Sequence, residues 1–308
     1  MNGRRTGSAV VLAAALAVAA AGPASAQGSP VAGYGNHFYL AGAGNEFGRA
    51  ADDFRFGDPA DQVYFGDFVD ENGVFGGDGV DDAVVRRGST FIIRGQQGRS
   101  FQYGDAQDTV LVGDWDGDGT DTLAVRRGNE YLVKNDIDSG VADYSFRYGD
   151  PGDEVLVGNW DGDTSDPRAE ELVTTDTLMV RRGNHYFVTN DTTTGVADYD
   201  FRYGDAGDTV LVGDWATAPL VDGDTVTTPP YAGDFADQLA VRRSNVYHLS
   251  EEVRAASESG TTGLVAIRRV TYGDVGDTAF AALLEQTYDV NGAQVTLRGD
   301  GLAVRRND

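Results

Sequence analysis

The sequence contains no cysteine, and it has only eight prolines and three histidines in 308 residues. The absence of cysteine excludes disulfide bonds, zinc–thiolate sites and a cysteine nucleophile. Basic residues are also scarce: 24 lysines and arginines stand against 49 aspartates and glutamates, for a formal net charge of −25. Because like charges repel, this balance argues against nucleic acid as a partner and favours cations, neutral sugars or basic proteins.

The first 26 residues have the pattern of a secretory signal peptide. Arg4 and Arg5 form a basic start, an apolar run follows at residues 9–21, and the tripeptide at 24–26 fits the small-x-small cleavage pattern. The apolar run is too short to span a membrane, and no transmembrane segment follows it in the sequence. We therefore expect a secreted, extracellular protein. Retention at the cell wall and the choice between Sec and twin-arginine export stay open.

One sequence unit of about 45 residues occurs five times, a period typical of a β-propeller with four strands in each blade. The copy at Phe101 reads FQYGDAQDTVLVGDWDGDGTDTLAVRRGNEYLVKN. The other copies begin at Phe54, Phe146, Phe201 and Val270. Each copy holds alternating or apolar segments separated by Gly, Asp and Asn turns, which predicts antiparallel strands. In the copy at Phe101 we expect strands at 109–114, 122–127, 131–134 and 143–148.

The two ends of the sequence complement each other. The last copy stops after its second strand, at residues 302–306, whereas residues 36–40 match the third strand of the other copies. Ring closure by both termini removes the exposed sheet edges of an open array. We predict an all-β fold: a single five-bladed propeller of four-stranded antiparallel blades over residues 36–308, with the last blade closed by N- and C-terminal strands. A flexible linker at 27–35 precedes it.

The connection between the first and second strands varies most among the copies. It ranges from seven positions between Asp114 and Asp121 to 23 positions between Asp214 and Asp237. Because variable loops on a rigid scaffold often carry function, this pattern predicts a binding face. Drift on an unselected surface is the alternative interpretation.

Each copy also carries two aspartates before its first strand and two arginines at the end of its second. These residues lie at the same end of a blade, and an arginine can hold a carboxylate through two parallel hydrogen bonds. We predict a structural Arg–Asp ring, with an anion site at the arginine pairs as the alternative. In the second and third copies it comprises Arg126, Arg127, Arg181, Arg182, Asp105, Asp108, Asp150 and Asp153.

The loop after the first strand of the second copy has the spacing of a calcium site. Its carboxylates at Asp114, Asp116 and Asp118 occupy positions 1, 3 and 5, with the Thr120 carbonyl at position 7. Ca²⁺ prefers six to eight oxygen ligands on a loop bent by glycine. The third copy has a second version with Asn159, Asp161 and Asp163. Alternatively, these side chains only cap tight turns.

The segment VGDWDGDGTDTLAV resembles the FG-GAP/VCBS repeats found in the integrin α-subunit propeller and in many secreted bacterial proteins. The resemblance implies that Asp114, Asp116, Asp118 and the Thr120 carbonyl bind Ca²⁺. The family's final carboxylate stands at position 9, where this sequence has Thr122, so we expect the metal site to end with Asp121, one position earlier. The arginine pair resembles a variant seen in secreted actinobacterial proteins.

These features predict a monomeric, non-catalytic binding or adhesion module for cell-wall glycan or a surface protein, stabilised by calcium. A glycoside hydrolase is one alternative, because Glu170, Glu171 and Glu285 break the repeat and such enzymes need a carboxylate pair. A structural spacer is another.

Overall fold

The computed structural model describes residues 28–41, 50–96, 99–162, 175–193, 195–215, 220–222, 225–227, 236–259, 263–290 and 293–307. Within these residues, five four-stranded antiparallel sheets form a ring, which confirms the predicted five-bladed β-propeller. The first strands of successive blades contact one another in order, and that of the fifth blade contacts that of the first. These first strands therefore line a central channel.

The strands follow the repeat from the channel outward in each blade. Two amino-terminal strands, β1 (His37–Leu40) and β2 (Asp52–Arg55), precede the first full blade. Blade one contains β3 (Gln62–Gly66), β4 (Asp82–Arg87), β5 (Thr90–Ile93) and β6 (Ser100–Gln102). Blade two contains β7 (Thr109–Gly113), β8 (Thr122–Arg127), β9 (Glu130–Lys134) and β10 (Tyr144–Arg147). Blade three contains β11 (Glu154–Gly158), β12 (Thr177–Arg182), β13 (His185–Val188) and β14 (Tyr199–Arg202).

The fourth and fifth blades carry additions to this plan. Blade four contains β15 (Thr209–Gly213), the inserted hairpin β16 (Leu220–Asp222) and β17 (Thr225–Thr227), then β18 (Gln238–Arg243), β19 (Val246–Glu252), the short helix α1 (Ala255–Ser259) and β20 (Ala266–Thr271). Blade five begins with β21 (Thr278–Val290) and β22 (Ala293–Arg306). Their pairing is continuous to the hairpin tip, so the expected loop here is a long β-hairpin. No helix among the described residues is long and apolar enough to cross a membrane.

The two ends of the chain complete the fifth blade, as the sequence predicts. Strand β1 lies between β22 and β2, with His37 opposite Arg306 and Leu40 opposite Ala303. Phe38, at the centre of β1, is fully buried against Phe65 and Phe280. Closure therefore joins residues that are far apart in the chain through both backbone pairing and aromatic packing.

The hydrophobic core consists of layers between blades. Trp115, at the end of the first strand of blade two, packs in one cluster with Val155 and Val157 of blade three. Trp160 and Trp215 occupy the same position at the next two interfaces, and all three are at most 3% exposed. Burial of these large aromatic side chains against the neighbouring blade stabilises the ring order as well as each sheet.

The two arginines of each pair have different partners. The second, exemplified by Arg127, forms salt bridges with Asp105 and Asp108 of its own blade, at 2.8 and 2.7 Å. The first, Arg126, instead donates to the carbonyl oxygens of Asp150 and Asp153 in the next blade, at 3.0 and 2.9 Å. The equivalents of Arg126 are Arg86, Arg181, Arg242 and Arg305. The equivalents of Arg127 are Arg87, Arg182, Arg243 and Arg306.

This division refines the expected Arg–Asp ring. Only the second arginine of each pair binds the paired carboxylates of the turn, whereas the guanidinium group of the first donates to main-chain carbonyls. Among the first arginines, Arg181 also forms a salt bridge with Glu154 at 3.0 Å. The fork crosses the blade boundary because the second strand ends beside the turn of the following blade. The first arginines thus connect blades, and the second arginines stabilise turns within them.

The segment before β1 differs from the flexible linker that the sequence predicts. The Val31 N–H donates to the Val63 carbonyl at 2.7 Å, and the Val112 N–H donates to the Gly28 carbonyl at 2.8 Å. Arg305 donates to the Val31 carbonyl at 2.8 Å, and Val31 is 3% exposed. Residues 28–33 therefore lie inside the channel as an ordered strand-like segment, because the inner strands offer it hydrogen-bond partners and apolar surface.

We expect that Arg126→Lys lowers the free energy of unfolding by about 1–3 kcal/mol, because an ammonium group cannot reproduce the fork to two carbonyls. Arg147→Lys is the matched control: its side chain is 70% exposed and makes one 3.4 Å contact with Glu130. The control should change stability by less than about 0.5 kcal/mol. Urea unfolding followed by tryptophan fluorescence measures both, and equal stability of the two variants would contradict the role of the fork.

Candidate functional site

A second contact between blades lies at the opposite end of the first strands. The Asp121 carboxylate, at the start of the second strand of blade two, accepts the N–H of Asp67 in blade one at 2.8 Å. The N–H of Asp121 in turn donates to the Asp67 carbonyl at 2.9 Å. We call this pair of hydrogen bonds the aspartate clasp, and it fixes the end of one blade's inner strand to the next blade.

The carboxylate bond of the clasp recurs at every boundary in the ring. The other carboxylate–N–H pairs are Asp176 with Asp114, Asp237 with Asn159, Asp300 with Asp214, and Asp81 with Leu283. The last pair joins the fifth blade to the first. Each copy therefore has an aspartate in this slot, which is the signal in the sequence that could have identified the clasp.

The glycine that ends the first strand makes room for the clasp. A Cβ atom at Gly113 would lie 2.8 Å from the Val157 side chain and 3.0 Å from the Asp176 carboxylate. Gly66, Gly158 and Gly213 are in equally close contact with the next blade. A side chain at this position would push the neighbouring blade away.

The five clasp aspartates surround a cavity of about 420 Å³ at the mouth of the channel. We call it the acid cavity: among the described residues, nine aspartates line it, together with Asn159, Leu283 and two glycines, and no basic side chain does. Burial raises the pKa of Asp121 to about 7 and that of Asp300 to about 6. The pKa values of Asp81, Asp176 and Asp237 also lie well above 3.8, first because of burial and then because of repulsion by nearby aspartates.

Beside this cavity, the loop after β7 brings three carboxylates together. Oxygens of Asp114, Asp116 and Asp118 all lie within 4.8 Å of one another, a group that could hold a metal ion. Asp114 is buried and the other two are exposed, so the group opens toward solvent. Burial raises the pKa of Asp114 to about 6, and the same cause raises that of Asp116.

The same loop is also stabilised by turn capping. The Gly117 and Gly119 N–H groups donate to Asp114 at 2.8 and 2.9 Å, and the Thr120 N–H donates to Asp118 at 2.8 Å. Both interpretations of these aspartates are therefore compatible with one geometry, since a carboxylate can accept N–H bonds and still face a cation.

The other expected ligands have different roles or lie elsewhere. Asp121 belongs to the clasp and is outside the group of three carboxylates. The Thr120 hydroxyl accepts the N–H of Gly77 from blade one at 3.1 Å. In the third copy, Asn159 accepts the Gly162 N–H at 3.0 Å. Asp163 lies outside the described residues, so the second predicted loop is only partly defined.

A cleft of about 210 Å³ lies between the first and fifth blades on the same face. It is lined by Asp82 and Glu285, and by Phe54 with the Arg94 guanidinium 3.7 Å above its ring. Burial raises the pKa of Asp82 to about 6. Glu285 is exposed here, whereas the other two repeat-breaking glutamates, Glu170 and Glu171, lie outside the described residues.

No protein-family model matches the chain, and no curated protein matches it.

We expect that Asp82→Asn stabilises the protein at neutral pH. Asp82 has a pKa of about 6 in the folded state, against an ordinary value of 3.8 in the unfolded state. Between these two pH values the carboxyl is therefore protonated in the folded state and ionised in the unfolded state. Ionisation in the folded state is therefore unfavourable, and the contribution of Asp82 to the unfolding free energy falls as the pH rises from about 4 to 6. Asparagine can still accept the N–H of Val69, which contacts Asp82 at 2.9 Å.

The measurement is urea unfolding of wild type and variant at pH values from 4 to 8. The gain of the variant over wild type should be absent near pH 4 and complete above pH 6. Glu71→Gln, which removes an exposed acid from the same connection, is the control and should show no such pH profile. A constant difference between D82N and wild type at all pH values would refute the assignment.

Proposed function

We propose that the protein is a secreted, non-catalytic binding module that recognises cell-wall glycan or a surface protein through the face formed by the loops after the first and third strands. The observation that carries this proposal is the contrast between the two faces of the ring. Turns at the arginine end are short, repeated and held by arginine forks. Loops at the aspartate end differ in every blade and carry an inserted hairpin, a short helix and a long β-hairpin.

The chemistry of the variable face favours a neutral glycan over an anionic ligand. Asp116, Asp118 and Glu285 are exposed there, and carboxylates can accept hydrogen bonds from sugar hydroxyls without a charge on the ligand. Phe75, in the first-blade connection, is 42% exposed, with the Arg99 guanidinium 5.5 Å from its ring centroid. An exposed aromatic ring suits stacking against the apolar face of a sugar.

We also propose that Asp114, Asp116 and Asp118 bind calcium. A further part of the proposal is that the chain belongs to the FG-GAP/VCBS repeat family. Carboxylates, main-chain carbonyls and water are the oxygen ligands that Ca²⁺ prefers. Coordination would offset the repulsion by Asp118, which adds to burial in raising the pKa of Asp116, and it would stabilise the folded state by mass action.

We expect that Ca²⁺ raises the melting temperature of the wild-type protein and that a chelator reverses the increase. The double variant Asp116→Asn with Asp118→Asn should lose this response. The double variant Glu71→Gln with Glu130→Gln changes the net charge equally, at one exposed and one half-buried position outside this loop, and should retain the response. Isothermal titration calorimetry gives the stoichiometry. A response retained by the aspartate variant would place calcium elsewhere.

We expect binding to at least one neutral cell-wall oligosaccharide on a glycan array, and a loss of about tenfold or more in affinity for Phe75→Ala. Gln107→Ala, an exposed change in a turn at the arginine end, is the control and should bind as wild type does. A folded wild-type protein that binds neither glycans nor cell-wall preparations would favour a structural spacer.

A glycoside hydrolase is a second candidate because the cleft between the first and fifth blades is lined by both Glu285 and Asp82, an aspartate of raised pKa. A carboxylic acid that keeps its proton near pH 6 suits a general acid, and an exposed carboxylate suits the second role in sugar cleavage. Release of reducing sugar from polysaccharide by the wild type, abolished in both Glu285→Gln and Asp82→Asn, would replace the binding proposal. No release by any form would support it.

A further inference from the structure

The amino-terminal segment points along the channel toward the acid cavity. Val31 pairs with Val63, near the start of a first strand and four residues before Asp67. Gly28 bonds to Val112, only two residues before Asp114. The chain therefore rises through the channel when it is followed backward from Val31 to Gly28, and it approaches the cavity at its amino-terminal end.

The channel is narrow around Gly28. A Cβ atom at Gly28 would lie 2.8 Å from the Val157 side chain and in contact with the Val112 carbonyl oxygen. Arg305, which is fully buried, holds the other end through the Val31 and Gly35 carbonyls. Inner strands of three blades and an arginine of the fifth thus fix the direction in which the chain extends.

The distance to the cavity matches a short extension of the chain. A strand advances about 3.3 Å per residue, so Val112 lies roughly 7 Å below the level of Asp114. Gly28 and one further residue before it together extend the chain by about 7 Å at most, which matches this distance. A mature chain that begins one residue before Gly28 is therefore long enough for its amino group to reach the acid cavity.

The cavity itself needs an occupant that carries both a positive charge and a hydrogen-bond acceptor. In the part of the chain that the structure describes, its lining contains nine aspartates and no basic side chain. It also contains Asn159, which is 5% exposed and whose Nδ2 donor has no partner within the described residues. A bare cation would compensate the carboxylates and leave this donor unsatisfied. A peptide terminus offers an ammonium group to the aspartates and a carbonyl oxygen to the asparagine.

We propose that the acid cavity binds the α-ammonium group of the mature chain, which signal-peptide removal before Gln27 would create. This inference rests on the proposed secretion. The precursor has a peptide bond at this position, so only the processed chain supplies the charge. Processing would then complete the ring after export, and the amino-terminal segment would act as an internal plug of the channel.

The test compares two forms of the mature chain that differ only in this charge. One begins with Gln27 as a free amine, and the other has the same residue cyclised to pyroglutamate by glutaminyl cyclase. We expect the cyclised form to melt about 2–6 °C lower. In the double variant Asp121→Asn with Asp237→Asn, the two forms should melt at the same temperature, because the carboxylates that hold the ammonium are neutralised.

A second measurement does not depend on stability. In the folded protein, acylation of the α-amine by an amine-reactive reagent should be at least about tenfold slower than in the urea-unfolded chain, because burial restricts access to the amine. Lys134, the one lysine of the sequence, provides an internal reference for reagent activity in the unfolded state. A chain with Gly-Ser added before Gln27 moves the ammonium by two residues and should regain fast acylation.

Three outcomes would overturn the proposal. Equal melting temperatures of the free and cyclised forms would show that the charge of the α-ammonium group does not stabilise the folded protein. Fast acylation of the folded Gln27 form would show that the amine is exposed. Restoration of the cyclised form by Ca²⁺ to the melting temperature of the free form, in chains that also carry Asp116→Asn and Asp118→Asn, would show that the cavity takes a metal ion.

Mass spectrometry of the exported protein separates this inference from the proposed function. A mature chain that begins at Gln27 but fails the tests above leaves the secreted binding module intact. A chain that is not exported, or that is not cleaved near Ala26, contradicts the proposed secretion instead.

Discussion

The ring depends on hydrogen bonds that cross from each blade to the next at both ends of the inner strands. At one end an arginine binds two carbonyls of the following blade, as Arg126 does with Asp150 and Asp153. At the other end an aspartate binds the N–H of the preceding blade, as Asp121 does with Asp67. The apolar layers between blades supply the larger burial, and these polar contacts determine the register in which the blades meet.

The two ends differ in electrostatic balance. At the arginine end, positive guanidinium groups neutralise the paired aspartates of the turns, and the pKa of Asp108 is lowered by its bond to Arg127. At the aspartate end the carboxylates accept N–H bonds, and burial together with mutual repulsion raises their pKa values. The five clasp aspartates thus concentrate carboxylates at one mouth of the channel. That end is suited to cations, and the same face carries the variable loops.

Several features followed directly from the repeat pattern. The strand positions, the number of blades and the closing pair of termini were predictable because alternating residues and short turns encode local structure. The matching of residues 36–40 to the third strand, for example, required only comparison among copies. The roles of Arg126 and Asp121 were not predictable in this way, because their partners lie in neighbouring blades. Residues 28–33 match no repeat or strand pattern, so the sequence predicts only a linker. Their position depends on the central channel, which exists only in the folded ring.

The sequence by itself determined an all-β, cysteine-free, strongly acidic propeller of five blades with one face of variable loops. Tertiary structure alone decided which arginine crosses to the next blade, which aspartates line a common cavity, and where the amino-terminal segment lies. The physical reason is that strand periodicity reports which side chains face the core, whereas hydrogen bonds between blades and the repulsion among five distant carboxylates exist only after the ring has closed.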